Sequence, residues 1–440
     1  MVEILVMLSV THRTGGYKRV AALLLACICG CRSATVPEST LPALRQSRIP
    51  HQSQAEQVAD YEDLAVLTEA LLLVKRYYVE ESNFTDLVYA AIEGLLQDLD
   101  PNSSFLVPES LKALDDSTRG KFVGIGVNVE SGREGVKVIA PLQDSPALKA
   151  GIQAGDTITS VDGASLQGLS LEDAVAKMRG ESGTPVKVTV ERANGAREQV
   201  ELIREDIRLT CIQSCRMLDA ETGYIRLKQF TAATIDELQD ALQKLDKEGA
   251  RKLILDLRDN PGGVLSAAIG VADMFLEKGA VITTLRSRAG EEIEHQYKAG
   301  GRGYKQTAAP LVVMVNGGSA SASEVVAGAL RDHARAKLVG EKTYGKASVQ
   351  SVVKMSLRPE CAVRLTTGYY YTPNGTLIHG RGIEPDDEVP LTLADQRLIQ
   401  RHYMHEAYRV HAPDEKPAAA LVDKQLEKAI HVLCRSTDQG

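Results

Sequence analysis

The chain of 440 residues carries 51 Lys and Arg against 58 Asp and Glu, a net charge of −7, with 44% hydrophobic and 25% charged residues. That composition is ordinary for a soluble globular chain, offers no concentrated basic face for nucleic acid, and gives length for two or three domains with real cores. Tryptophan is absent and aromatics make up 4%, so aliphatic side chains must build those cores.

Lys18-Arg19 precedes the apolar run Val20–Cys29, which is short for a bilayer span and reads as part of an export signal over residues 1–31. The run ends in Ile28-Cys29-Gly30-Cys31, which resembles a bacterial lipobox with Cys31 as the lipid-bearing residue. Cleavage without lipidation stays open, because Cys29 is atypical there. Export places the mature protein in the bacterial cell envelope or periplasm, anchored to the membrane if Cys31 is lipidated. Residues 32–59, rich in Pro, Ser and Gln, read as a flexible linker.

Residues 60–120 read as an N-terminal helical segment. Leu64, Leu67, Leu71, Val74 and Tyr78 recur at helical spacing, as do Val88, Ile92, Leu95 and Leu99, with Asp86 as the expected N-cap of the second helix. Residues 121–206 alternate short strands and glycine turns with one helix, Leu171–Met178. The succession Phe122-Val123-Gly124-Ile125-Gly126-Val127, Ser145-Pro146-Ala147, Ala150-Gly151-Ile152, Gly155-Asp156 and Val161-Asp162-Gly163 resembles a bacterial PDZ domain, β-rich and of α+β type. Such a domain binds a peptide as an added strand, and the amides of Gly124, Ile125, Gly126 and Val127 would take its terminal carboxylate. A closed domain with an occluded groove is the plain alternative.

Residues 207–390 read as an α/β core. Gly223–Leu227, Lys252–Leu257 and Leu311–Val315 are predicted strands, and Thr234–Lys247, Val264–Leu276 and Ala320–Leu330 are predicted helices. This alternation favours right-handed crossovers and a largely parallel sheet. Residues 391–440 form a C-terminal helical segment with a helix around Leu421–Leu433, which suits docking or dimerisation equally. Outside the signal lie Cys211, Cys215, Cys361 and Cys434; the spacing leaves a Cys211–Cys215 bridge open. None of the nine histidines sits in a metal-ligand pattern, and His333 reads as a solvated helix residue. No metal site is expected.

The chemistry concentrates in Asn316-Gly317-Gly318-Ser319-Ala320-Ser321-Ala322-Ser323-Glu324 and in Gly345-Lys346-Ala347-Ser348-Val349-Gln350. These segments hold a hydroxyl nucleophile, an amine that is a base once burial leaves it partly neutral, and an amide to orient the amine. A serine between a strand and a helix also sits near unpaired N–H groups that suit a developing oxyanion. A small-residue helix start that merely packs closely is the plain alternative.

Together with Gly340-Glu341-Lys342-Thr343-Tyr344, these segments resemble the carboxyl-terminal processing peptidases, or tail-specific proteases. Leu253–Gly263, Leu99-Asp100-Pro101-Asn102-Ser103-Ser104, Tyr371-Thr372-Pro373-Asn374-Gly375 and Gly382-Ile383-Glu384-Pro385-Asp386 extend the resemblance over about residues 60–390, with Asn102 where the family often has histidine. The resemblance implies Ser321 as nucleophile, since Lys346 follows 25 residues later, and Gln350 as the residue that holds the lysine. It implies a core of the crotonase and Clp-protease type, a spiral of ββα units, and a serine endopeptidase that uses no cofactor. An oxyanion hole would combine the amide of Ala322 with that of Gly262 or Gly263, the choice between glycines staying open. Arg179 would couple the PDZ domain to the active site, or serve as an ordinary cation at a helix C-terminus. The N-terminal helices would make dimer contacts or shape the substrate entrance, or else simply pack together. The expected partners are protein or peptide C-terminal tails, with a homodimer or adaptor protein as further partners.

The resulting expectation is a Ser/Lys endopeptidase that cleaves envelope proteins or peptides at or near their C-termini. Two readings compete with it. One is a catalytically silent PDZ scaffold at the envelope, which lacks any use for Ser321, Lys346 and Gln350 together. The other is a crotonase-like acyl-CoA enzyme, which conflicts with export and with the PDZ pattern.

Overall fold

The computed structural model describes residues 54–142, 144–192, 194–208, 210–287, 294–301, 309–408 and 422–437. The export signal, Cys31 and residues 32–53 lie outside the described residues. The described residues fall into two units that part between Thr68 and Glu69. A helix runs from Gln54 to Tyr77, so helix already begins inside the stretch read as linker. Leu64, Leu67, Val74 and Tyr78 of its apolar pattern are exposed.

The next helix, Phe84–Leu99, is capped by Asn83 and not by Asp86. Asn83 has extended backbone, and its side-chain oxygen accepts the Thr85 N–H at 2.9 Å. Asp86 falls in the first turn instead, where its charge meets the positive end of the helix.

The chain enters and leaves the PDZ-like region through an antiparallel pair, Lys121–Gly124 with Glu205–Arg208. Between them, Val127–Ser131, Val136–Pro141, Thr157–Val161, Pro185–Glu191 and Arg197–Ile203 form an antiparallel sheet in that order. Val186, Val188 and Val190 are buried while Pro185 and Lys187 face outward, the period-two pattern of a sheet with one covered face. Ile125, Val138, Ile158 and Met178 complete this core. Ser170 caps the Leu171–Met178 helix by accepting the Asp173 N–H at 3.1 Å.

The α/β core is built on a six-stranded sheet in the order 212–217, 222–227, 252–256, 311–315, 337–340, 387–388. The first pair is antiparallel and the others parallel. Thr222–Leu227 and Leu311–Val315 are buried along their whole length, because helices cover both faces. One face packs on Thr234–Lys247, Leu265–Asp273 and Ala322–Asp332, the first through Leu238, Ala241, Leu242 and Leu245 at helical spacing. The other face, with Tyr224, Ile254, Val312 and Met314, packs on the C-terminal helices Leu393–Tyr408 and Lys424–Thr437 through Ile399, Tyr403, Ala429 and Leu433. Those helices therefore finish the core of their own chain.

A second, antiparallel sheet carries Ser104–Leu106, Ala362–Tyr371, Val281–Ser287 and Glu294–Lys298 in that order, with Ser348–Lys354 paired to Ala362–Tyr371. Two helices depart from the sequence expectation. The one expected over Val264–Leu276 spans Leu265–Asp273. The one expected from Ala320 starts at Ala322, because Ser321 has φ 54° and cannot continue a right-handed helix. Among the described residues no disulfide forms; Cys211 is buried with its sulfur 2.9 Å from Thr231 Oγ1, and no bridge joins it to Cys215.

Candidate active site

Adjacent parallel strands, Lys252–Asp256 and Leu311–Val315, end side by side and release two turns. The first turn runs through Asp259-Asn260-Pro261-Gly262-Gly263, the second through Asn316-Gly317-Gly318 to Ser321. Three serines occupy the second segment in different ways. Ser319 is fully buried and its hydroxyl donates to the Leu257 carbonyl at 2.8 Å; Ser323 is fully buried and donates to the Asn260 carbonyl at 2.8 Å. Ser321 is half-buried and sits at φ 54°, ψ −113°, a sparsely populated conformation for a non-glycine residue. The flanking serines hold the loop to the core, and Ser321 is the one presented at the junction.

Glu324, fully buried in the first turn of the Ala322–Asp332 helix, joins this junction to the lysine segment. Its Oε2 accepts the backbone N–H groups of Ser321 at 2.9 Å and Lys346 at 2.8 Å. Its Oε1 accepts the Thr343 hydroxyl at 2.6 Å and the Gly345 N–H at 2.7 Å. Four donors thus saturate one carboxylate, which fixes both backbones relative to each other. Sequence reasoning gave Glu324 no role, although Ser321-x-x-Glu324 before an apolar helix is the spacing of a capping box.

Lys346 is half-buried, and burial, then the Arg364 guanidinium, push its ammonium below the ordinary lysine range, while Asp100 acts in the opposite sense. Lys346 and Ala320, the neighbour of Ser321, line a cavity of about 1180 Å³ together with Asp100, Pro261, Gly318 and Tyr344. Among the described residues no hydrogen bond joins Lys346 Nζ to Ser321 or to Gln350. The Gln350 amide nitrogen donates instead to Thr366 Oγ1 at 3.2 Å. The motif around Asp100 reaches the same place: Ser103 Oγ accepts the Thr366 N–H at 3.2 Å and donates to Asp100 Oδ2 at 2.8 Å.

The two glycines differ. The Gly262 N–H donates to Asn260 Oδ1 at 2.9 Å. Its Cα lies against the serine: a Cβ there would be 2.7 Å from the Ala320 carbonyl oxygen and 2.9 Å from both Ala322 N and Ser321 Cβ. Gly263, at φ 139°, packs on the backbone of Phe230, and no hydrogen bond occupies its N–H among the described residues. Ala322 is the first residue of its helix, where an N–H has no intrahelical partner.

In the PDZ-like region Gly124 is buried, and the Ile125 side chain points into the domain core while its carbonyl accepts the Ala147 N–H at 2.9 Å. Gly126, at φ 75°, accepts the Leu142 N–H at 2.9 Å and leaves no room for a side chain against Ser145. Val127 opens the strand that faces Pro141. Arg179 caps the Leu171–Met178 helix and lies 5.9 Å over the Phe122 ring of the entering strand. Among the described residues no group of His, Cys, Asp and Glu is arranged to hold a metal ion, and no helix is long and apolar enough to cross a membrane.

Comparison with known proteins bears on this geometry. Residues 221–389 match the model of peptidase family S41, and residues 113–191 match that of the PDZ domain. The carboxy-terminal-processing protease of Bartonella bacilliformis is 39% identical over 341 residues, covering 76% of this chain and 77% of that protein. The carboxy-terminal processing protease CtpA of Bacillus subtilis is 35% identical over 327 residues, covering 74% of this chain and 68% of that protein. Among solved structures, the photosystem II D1 C-terminal processing protease is 32% identical, covers 74% of this chain and 93% of its own, and superposes with a TM-score of 0.45. The chain belongs to peptidase family S41, as a serine-type peptidase of the carboxy-terminal-processing group that carries a PDZ domain.

Proposed function

We propose that the protein is an endopeptidase in which Ser321 attacks the scissile carbonyl and Lys346 is its general base. The observation that carries this reading is the Glu324 carboxylate, which binds the backbone of Ser321 and of Lys346 with one oxygen. The depressed pKa of Lys346 supports it, since only a neutral amine takes the Ser321 proton. As Ser321 Oγ bonds to the carbonyl carbon, its proton passes to Lys346 Nζ, and the carbonyl oxygen becomes an oxyanion. The Ala322 N–H and a glycine N–H receive that charge. Gly263 is the better glycine donor, because Asn260 already holds the Gly262 N–H. Lys346 then gives its proton to the leaving amine; water, losing a proton to Lys346, attacks the ester carbonyl, and Lys346 returns that proton to Ser321 Oγ as the acyl group leaves as a carboxylic acid.

Active-site hydrogen bonds often tighten only around substrate, so the dyad closes when a peptide fills the cavity and Gln350 turns from Thr366 to the lysine. A substrate's C-terminal tail is recognised in the PDZ domain at Gly124, Ile125, Gly126 and Val127, with main-chain amides as donors and Ile125 holding the loop to the core. Arg179 over Phe122 links the groove helix to the strand that enters the domain. The substrates are envelope proteins, reached by export and by a lipid on Cys31. Labelling with a serine-reactive fluorophosphonate, read by intact mass and peptide mapping, tests the assignment. One adduct on Ser321 that disappears in Ser321→Ala is expected; an adduct elsewhere, or none while a tail peptide still binds, would favour a silent scaffold.

A further inference from the structure

The two turns that meet at Ser321 are clipped together by a pair of side chains that the mechanism above does not use. Asp259 leaves the Lys252–Asp256 strand at φ 58°, a left-handed conformation that Asp tolerates better than most residues. Its backbone N–H donates to Asn316 Oδ1 at 2.9 Å, and Asn316 Nδ2 donates to Asp259 Oδ1 at 2.8 Å. The same Asn316 Oδ1 accepts the Gly318 N–H at 3.0 Å. One amide group therefore ties the turn that leads to Gly262 and Gly263 to the turn that leads to Ser321. Gly318 permits this approach, since a Cβ there would lie 2.9 Å from Asp259 Cα.

The clip is also anchored inward. Asp259 Oδ2 accepts Arg226 at 3.1 Å, and buried Arg226 shares Asp256 with buried Arg258. Arg258 reaches Asp423 Oδ2 at 2.8 Å and Gln425 Oε1 at 3.0 Å, ahead of and within the last helix. A chain of charges thus runs from the C-terminal segment to the turn beside the serine.

Stability gives this clip little to do. The parallel ladder already fixes the strands as far as Asp256 opposite Met314. Ser319, Ala320 and Ser323 bind the carbonyls of Leu257 and Asn260 from inside. Asp259 is half-exposed, and its bonds to Asn316 are solvent-exposed, where hydrogen bonds contribute little net stability. What the clip does set is the spacing between the glycine turn and Ser321, at the cavity wall where Pro261 and Gly318 face the same space.

We propose that Asp259 and Asn316 are positioning residues of the peptidase reaction, fixing the glycine turn relative to Ser321, with Arg226 tying that spacing to the buried charges that end at Asp423. The proposal rests on Ser321 being the nucleophile, so Ser321→Ala is run beside the clip variants. The test is steady-state cleavage of an unstructured protein with an apolar C-terminus by the full chain, with melting temperature and tail-peptide affinity measured in parallel. Misplacement of a reacting group by about 1 Å costs on the order of 100-fold, so Asn316→Ala is expected to lower kcat about 10- to 100-fold. KM, tail affinity and melting temperature should stay near wild type.

Asn316→Asp sets two carboxylates against each other and should be slower still. The exchange Asp259→Asn with Asn316→Asp restores a side-chain donor and acceptor across the clip, and should recover kcat relative to Asn316→Asp alone. Wild-type kcat in both single variants would overturn the proposal, as would a loss confined to KM, a loss tracking unfolding, or an exchange no better than Asn316→Asp. Wild-type cleavage by Ser321→Ala would overturn the nucleophile and the clip together. An inactive Ser321→Ala beside a fully active Asn316→Ala would overturn the clip alone.

Discussion

Glu324 Oε2 accepts the backbone N–H of Lys346 at 2.8 Å while it also holds the N–H of Ser321. Residues 25 positions apart thereby share one buried acceptor. Substituting Glu324→Gln exchanges one oxygen for an amide that cannot accept, leaving at least one buried donor unmet. A buried unsatisfied group costs about 1–3 kcal/mol, which denaturant unfolding should register. Activity should fall at least about tenfold, because both backbones lose their common reference. Full activity in Glu324→Gln would show that the carboxylate serves packing alone.

The pH dependence follows from the direction of the Lys346 shift. Burial, and Arg364 next, lower its pKa from the ordinary lysine range. The base works neutral, so the rate of the chemical step should rise with pH up to the lowered pKa and level off above it. The stability consequence has the same sign. The unfolded chain keeps the lysine protonated to higher pH, so this group's penalty on folding is full below the lowered pKa and shrinks as pH rises towards the unfolded value. Single-turnover rates against pH check this; a profile flat from acid to alkaline pH would count against lysine as base.

Gly262→Ala should disable the site from the opposite side. A Cβ at Gly262 meets the Ala320 carbonyl oxygen at 2.7 Å, all of it backbone that cannot step aside, and φ 100° is already unfavourable for alanine. We expect cleavage to drop by about 100-fold or more, with a stability loss of about 1–3 kcal/mol. Activity within a factor of two of wild type would mean that the turn has room the structure denies it.

Much of the core is legible in the sequence for a simple reason. Leu311–Val315 and Lys252–Asp256 are short β-branched or aliphatic runs bounded by turn residues, and strands covered on both faces need little else. The Thr234–Lys247 helix carries acidic residues in its first turn and lysines in its last, so both ends could be read. The antiparallel sheet was missed because its pairing is remote: Ser104 lies opposite Arg364. At Phe84–Leu99 the sequence expectation puts the N-cap at Asp86, three residues beyond Asn83, because the extended backbone at Asn83 that starts the helix is not displayed by one sequence.

The site divides the same way. Ser321, Lys346 and Gln350 were readable as an ordered motif, but their relation was not, because Glu324 acts through backbone amides that carry no residue identity. Arg258 and Asp423 are 165 positions apart and meet only because the last helices fold back over the sheet.

That contact carries its own prediction. Asp423 and Asp256 are the carboxylates around the buried Arg258 guanidinium, and removing one partner leaves charge inadequately matched. Asp423→Ala should cost about 3 kcal/mol in denaturant unfolding. Burial alone would raise the pKa of Asp256, but Arg258 and Arg226 hold it well below the usual carboxylate range. Its stabilisation is therefore complete above about pH 4 and lost as pH falls below that value. A variant within about 0.5 kcal/mol of wild type would show that Asp256 and Gln425 satisfy Arg258 without Asp423.

The most direct test of the Ser/Lys assignment is cleavage of an unstructured protein with an apolar C-terminus by the purified protein, beside Ser321→Ala and Lys346→Ala with their folding verified. Cleavage by the wild type and its loss in both variants is the predicted result. Undiminished cleavage by either variant would contradict a chemistry centred on Ser321 and Lys346.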